Sequence, residues 1–195
     1  MALAFTNTTI EVREISLRNR PKELYGVSSK GTVPVLITLD NLVIDESLKI
    51  MLWALTNYSN QTWLSKNSSK ELEMIKINDT IFKKWLDKYK YHDRYPEESK
   101  EFYRDKCIPI LNSYEIQLNN KKYLLSNQIN IVDIAIFPFI RQFSNIDYLW
   151  FEKKYKNLEH WLEKFSTSNL FNSVMKKYDL WSEKRNKLII NFNDQ

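Results

Sequence analysis

Apolar and polar residues alternate through Thr9-Ile10-Glu11-Val12-Arg13-Glu14-Ile15, the two-residue period of a strand with one covered face. A second strand is predicted at Val35-Leu36-Ile37-Thr38-Leu39, and Asp40-Asn41 supplies a turn into Leu42-Val43-Ile44, giving an antiparallel pair. Between these, Pro21 to Tyr25 reads as a brief helix, because proline suits a first helical turn. Leu48, Met51, Leu52 and Leu55 then fall at helical spacing on one side. Near residue 60 the strand signals stop. Ser68 to about Tyr91 carries Leu72, Ile75, Ile81 and Leu86 in a long amphipathic pattern, and Pro96 to Leu118 repeats it with Phe102, Cys107, Ile110, Leu111 and Ile116. Pro109 should bend the second of these, at about 3 kcal/mol unless packing accommodates it. Further helices are predicted over 130–144, 156–166 and 168–177. The expected organisation is therefore a small α/β domain over 1–58, an all-helical domain over 68–181, and a polar tail, 182–195, that frays.

The start of the helix after Asn130 carries the clearest local folding signal. Asn130 suits the cap, Asp133 is placed to reach back to the cap backbone, and Ile129 and Ile134 can staple across the turn. As a cap alone, losing Asp133 should cost about 0.5 to 2 kcal/mol. Pro138 within the same helix predicts a kink or an opened turn.

Composition narrows the class. In 195 residues, 43% hydrophobic and 14% aromatic residues can fill a core, which argues against disorder over most of the chain. No apolar run approaches the roughly 20 residues of a membrane helix, and the N-terminus lacks signal-peptide order, so a soluble cytoplasmic protein is expected. The single cysteine, Cys107, excludes an internal disulfide framework or thiolate metal cluster, and Ile108 and Ile110 beside it suggest a core residue. A net charge of +5 invites a nucleic-acid reading, but lysines interleave with acids, as in Lys83-Lys84-Trp85-Leu86-Asp87-Lys88. Solvated helix faces account for this better, and no nucleic-acid partner is expected. His92 and His160 are far apart, without a carboxylate at ligand spacing, so no metal site is expected either.

Candidate chemistry is concentrated in Lys30-Gly31-Thr32-Val33-Pro34-Val35-Leu36 and Ile44-Asp45-Glu46-Ser47-Leu48. A Val-Pro bond at a strand entrance and an acidic-hydroxyl pair where a strand gives way to a helix bring exposed backbone and helix-end groups toward one small polar ligand, such as a peptide-like thiol. Each piece alone has a plainer meaning: an ordinary trans proline opening an edge strand, and a helix cap at Asp45, Glu46 and Ser47.

The order of these pieces, with the Asn130–Asp133 box running into Ala135-Ile136-Phe137-Pro138-Phe139-Ile140-Arg141-Gln142-Phe143, resembles the glutathione S-transferase family from Met1 to about Trp181. Tyr89-Lys90-Tyr91-His92-Asp93-Arg94-Tyr95-Pro96 is similar to a segment of a bacterial branch, and the N-terminal part is omega-like, or glutaredoxin-like. The resemblance implies a thioredoxin-like domain, incomplete at its start, followed by an all-helical bundle. It implies a cis bond before Pro34, with the main chain of Val33 pairing the cysteinyl unit of glutathione like an added strand. Glu46 would meet the ammonium of the γ-glutamyl end and Ser47 its carboxylate. Arg20 resembles a basic position that contacts the glycine carboxylate, with Lys30 a competing candidate. Glutathione is thus expected as substrate, with a small electrophile or disulfide as co-substrate and a homodimer as the assembly.

In the family, a first strand and first helix come before everything seen here, and the turn between them supplies the tyrosine, serine or cysteine that handles the thiol. Met1-Ala2-Leu3-Ala4-Phe5 reads as the last turn of that helix, so no residue here matches the catalytic position. The missing strand would lie between Thr9–Ile15 and Val35–Leu39, leaving ladder groups unpaired. An enzyme conjugating or exchanging the glutathione thiol, with Trp85, Tyr89 and Tyr95 lining the second-substrate wall or packing in the core or a dimer, stands beside a non-catalytic binding or regulatory protein on the same scaffold. A basic helical nucleic-acid binder is the weakest reading.

Overall fold

A computed structural model describes residues 1–58, 62–65 and 69–192. The change of organisation expected near residue 60, the helix start at Ser68 and the last three residues of the tail fall outside them. The chain divides into two compact units, Met1–Gln61 with Asn169–Gln195, and Thr62–Ser168.

The first unit begins with α1 (Ala2–Phe5), β1 (Ile10–Glu11), α2 (Lys22–Val27), β2 (Leu36–Ile37), β3 (Val43–Ile44) and α3 (Ser47–Thr56). Pro21 stands just before α2, as its fixed φ favours. β2 and β3 pair antiparallel, Leu36 opposite Ile44 and Ile37 opposite Val43. Their turn is closed by Thr38, whose carbonyl accepts from Asn41 N at 3.0 Å and whose hydroxyl accepts from Leu42 N at 3.0 Å, while Asn41 takes the positive φ that asparagine tolerates. α3 buries Ile50, Ala54 and Leu55 and leaves Leu48, Met51 and Leu52 half-buried, so its inner face is rotated from the one the leucine spacing suggested. α1, with Ala2 and Ala4 buried, lies against α3.

The second unit is helical: α4 (Ser69–Ile77), α5 (Lys83–Lys90), α6 (Lys100–Leu118), α7 (Ile131–Ser144), α8 (Tyr148–Lys154) and α9 (Lys156–Ser166). A π-helical turn, Asn78–Phe82, joins α4 to α5. The buried face of this run uses Met74, Ile75, Asn78, Phe82, Leu86 and Tyr89, while Leu72 and Ile81, expected inside, are exposed. On α6 the inner positions are Tyr103, Cys107, Leu111, Tyr114 and Leu118, and Ile116 is 73% exposed. Tyrosines thus fill places that hydropathy gives to isoleucine, each burying a large ring. α6 and α7 run through Pro109 and Pro138 without ending. α8 went unforeseen; Asp147 caps it, accepting from Trp150 N at 3.1 Å.

α7 opens as expected. Asn130 Oδ1 accepts from Val132 N at 2.9 Å, and Asp133 Oδ2 accepts from Asn130 N at 3.1 Å. Asp133 also does more: its Oδ1 accepts from Leu124 N and from Trp161 Nε1, both at 3.0 Å, tying α7 to the preceding loop and to α9. It is fully buried, and burial lifts its carboxyl above the usual range against the pull of these donors.

α10 (Asn169–Val174) and β4 (Ile189–Ile190) return to the first unit. As far as Ile190, the tail expected to fray is instead tied down. Ile190 pairs opposite Ile10 and Ile189 opposite Glu11, Val12 N donates to Leu188 O at 2.8 Å, and Trp181 N donates to Glu14 O at 2.7 Å. Arg13 covers the Trp181 ring at 5.1 Å. Two isoleucines spaced from the polar run by Leu188 give the tail an apolar edge, and Ile190 is buried. Among the described residues β1 has no other ladder partner, and β2 pairs only with β3.

Candidate functional site

Residues 28–34 enter β2 through a turn in which Gly31 N donates to Ser28 O at 3.0 Å. Gly31 has φ 58°, which favours glycine, and a Cβ there would stand 2.3 Å from the Tyr25 ring, which would have to shift. Beyond it the Val33–Pro34 bond is cis. Val33 is 45% exposed, and its N–H and C=O have no protein partner among the described residues. Those groups are open to an extended ligand backbone.

β3 leads into α3 through Asp45, Glu46 and Ser47. Glu46 is the residue preceding the helix, but its side chain does not cap it, and the Ser47 hydroxyl is likewise without a partner among the described residues. The first amides of α3 therefore point outward with the positive end of the helix, a setting suited to a carboxylate.

The two segments meet through side chains. Ser28 Oγ donates to Asp45 Oδ2 at 3.4 Å, and Lys30 Nζ pairs with Asp45 Oδ2 at 3.3 Å and with Glu46 Oε1. Hydrogen bonding to Glu46 and Asp45 raises the Lys30 ammonium above its ordinary pKa, and Lys30 holds the Asp45 carboxyl below its own. The turn that carries Val33 and Pro34 is thereby fastened to the corner that carries Glu46 and Ser47. Arg20 is exposed and makes no ion pair among the described residues, so it is not drawn into this group. The pairing of Lys30 with Asp45 and Glu46 was not legible in spacing, since about 15 residues and a hairpin separate the lysine from the two acids.

The aromatics divide. Tyr89 is buried against Phe143, with ring centroids 5.2 Å apart, and belongs to the core of the helical unit. Trp85 and Tyr95 are half-buried around Tyr103. A cavity of about 500 Å³ in the first unit is lined by the tail, including Leu180, Trp181 and Arg185, and shares no residue with the cluster above. Cys107 is fully buried, and burial pushes its thiol up to about 12. It should stay unlabelled by iodoacetamide in the native protein and react only in denaturant; fast native labelling would contradict that burial. Among the described residues no group of three or more His, Cys, Asp and Glu side chains could hold a metal, and no helix is long and apolar enough to cross a membrane.

Residues 1–62 match the glutathione S-transferase N-terminal domain, and residues 74–169 match the glutathione S-transferase C-terminal domain. The chain belongs to the glutathione S-transferase family. No curated protein sequence matches it. Its fold, a small sheet-bearing N-terminal domain followed by a helical one, is shared with solved family structures. A Gtt2-class transferase of Vibrio parahaemolyticus superposes with a TM-score of 0.72 at 19% identity, over 88% of each chain. The transferase URE2P6 of Phanerochaete chrysosporium, solved with oxidized glutathione, gives 0.77 at 16% identity, over 89% of this chain and 86% of that one. Ure2p5 of the same fungus, cocrystallized with 1-(S-glutathionyl)-2,4-dinitrobenzene, gives 0.72 at 16%, over 87% and 83%. At such identities the likeness is one of fold.

Proposed function

We propose that this transferase-family chain binds glutathione on its first unit. The unpaired main chain of Val33 ladders with the cysteinyl unit, Pro34 shapes that edge, Glu46 takes the γ-glutamyl ammonium, and Ser47 with the first amides of α3 takes the γ-glutamyl carboxylate. The observation that carries this is the fastening of the Val33 turn to the Glu46–Ser47 corner through Lys30, Asp45 and Ser28. Glutathione-containing complexes of two fungal proteins with the same fold support the choice of ligand. Arg20 remains the candidate for the glycine carboxylate, by resemblance only.

The reaction that follows from this reading is transfer of the glutathione thiol to a small electrophile, or its exchange with a disulfide, in a cytoplasmic homodimer. The groups assembled at the cluster bind and orient, and Cys107 is buried in the other unit. A second reading is a glutathione-binding protein without turnover. Product formation from a halodinitrobenzene or a mixed disulfide separates the two.

Glu46→Ala should weaken glutathione binding about tenfold by calorimetry, the usual size of one charge-assisted hydrogen bond. An unchanged dissociation constant would remove Glu46 from the site.

A further inference from the structure

We infer that Lys30 is an internal competitor for the glutathione amine. Its ammonium pairs with both carboxylates of the corner, Asp45 at 3.3 Å and Glu46, and so occupies the place that the γ-glutamyl ammonium needs. This rests on the glutathione reading above.

One cation between two carboxylates leaves the corner with a single net negative charge. A ligand amine at the Glu46 oxygen that Lys30 holds would meet the lysine ammonium at close range, and like charges there repel, so binding at that oxygen displaces Lys30. The exchange is feasible because the pair lies at the surface, with Lys30 50% and Glu46 52% exposed, and surface ion pairs are weak. Asp45, 29% exposed and tied to Ser28, keeps its place while the long lysine chain swings away. A ligand without an amine gains nothing by displacing Lys30. The lysine therefore lowers affinity for glutathione and narrows its advantage over a ligand that lacks the amino group.

Calorimetry with glutathione and with its desamino analogue, in which the γ-glutamyl group is replaced by glutaryl, tests this on the whole protein. Lys30→Gln should bind glutathione about three- to tenfold more tightly, the effect of removing one competing charge at a solvent-exposed corner. The desamino analogue should gain nothing, or bind more weakly to a corner left doubly negative, so the preference for the amine widens. Lys30→Arg, which keeps the charge, should behave like the unsubstituted protein. Weaker or unchanged glutathione binding by Lys30→Gln overturns the inference and leaves glutathione binding itself intact. If neither protein binds glutathione, the reading beneath it fails as well.

Discussion

Asp133→Ala should cost about 3 to 5 kcal/mol of stability, well beyond the loss of a helix cap. The alanine leaves three buried donors without an acceptor: Asn130 N, Leu124 N and Trp161 Nε1. An unsatisfied buried donor costs roughly 1 to 3 kcal/mol, and three sharing one cavity fall short of a simple sum. Because the carboxylate joins a loop, the start of α7 and α9, the damage reaches across the helical unit. Asp133→Asn retains the carbonyl that Leu124 and Trp161 use but turns an amide toward the Asn130 N–H, so it should lie between. Urea midpoints of the three proteins, followed by tryptophan fluorescence and by circular dichroism, measure the ordering. A loss below about 1 kcal/mol for the alanine would mean that water replaces the carboxylate at all three donors.

The second large effect is expected from removing 178–195. This takes away β4, the only ladder partner of β1 among the described residues, together with the Trp181 contact to Glu14 and the burial of Ile190. A lone strand has nothing to hold it, and burying one isoleucine together with two or three ladder bonds amounts to roughly 3 kcal/mol after ordering costs. The Val12 amide, which donates to Leu188 O, should lose hydrogen-exchange protection. The helical unit, Thr62–Ser168, is compact in itself and should keep its own. Protection at Val12 that survives the deletion would show that the tail merely rests on the strand.

Much of this was legible in local chemistry. The Asn130–Asp133 box, the hairpin at Asp40-Asn41 and the glycine-proline entrance to β2 are short-range signals, and each appears where the residues put it. What failed depended on partners distant in sequence. Hydropathy placed Ile81 and Ile116 inside, but the core was filled by Tyr103, Tyr114 and Asn78, whose polar ends hide their packing value. The tail read as frayed because charge dominates 182–187, and nothing local shows that Ile189 and Ile190 find β1. For the candidate site, the Val33, Glu46 and Ser47 positions stood out by order and spacing, whereas Lys30 stood out only as a candidate for the glycine carboxylate and not as the residue that fastens them together.

The return of the C-terminal segment to β1 also bears on how the protein is made. Residues 62–168 are contiguous and can collapse while the ribosome is still adding α10, but the first unit needs both β1 and the segment from Trp181 to Ile190. Its completion must wait until β4 has left the ribosome. Until then Ile10 and Val12 lack their cover, so a chaperone or a crowded polysome would meet this molecule at β1.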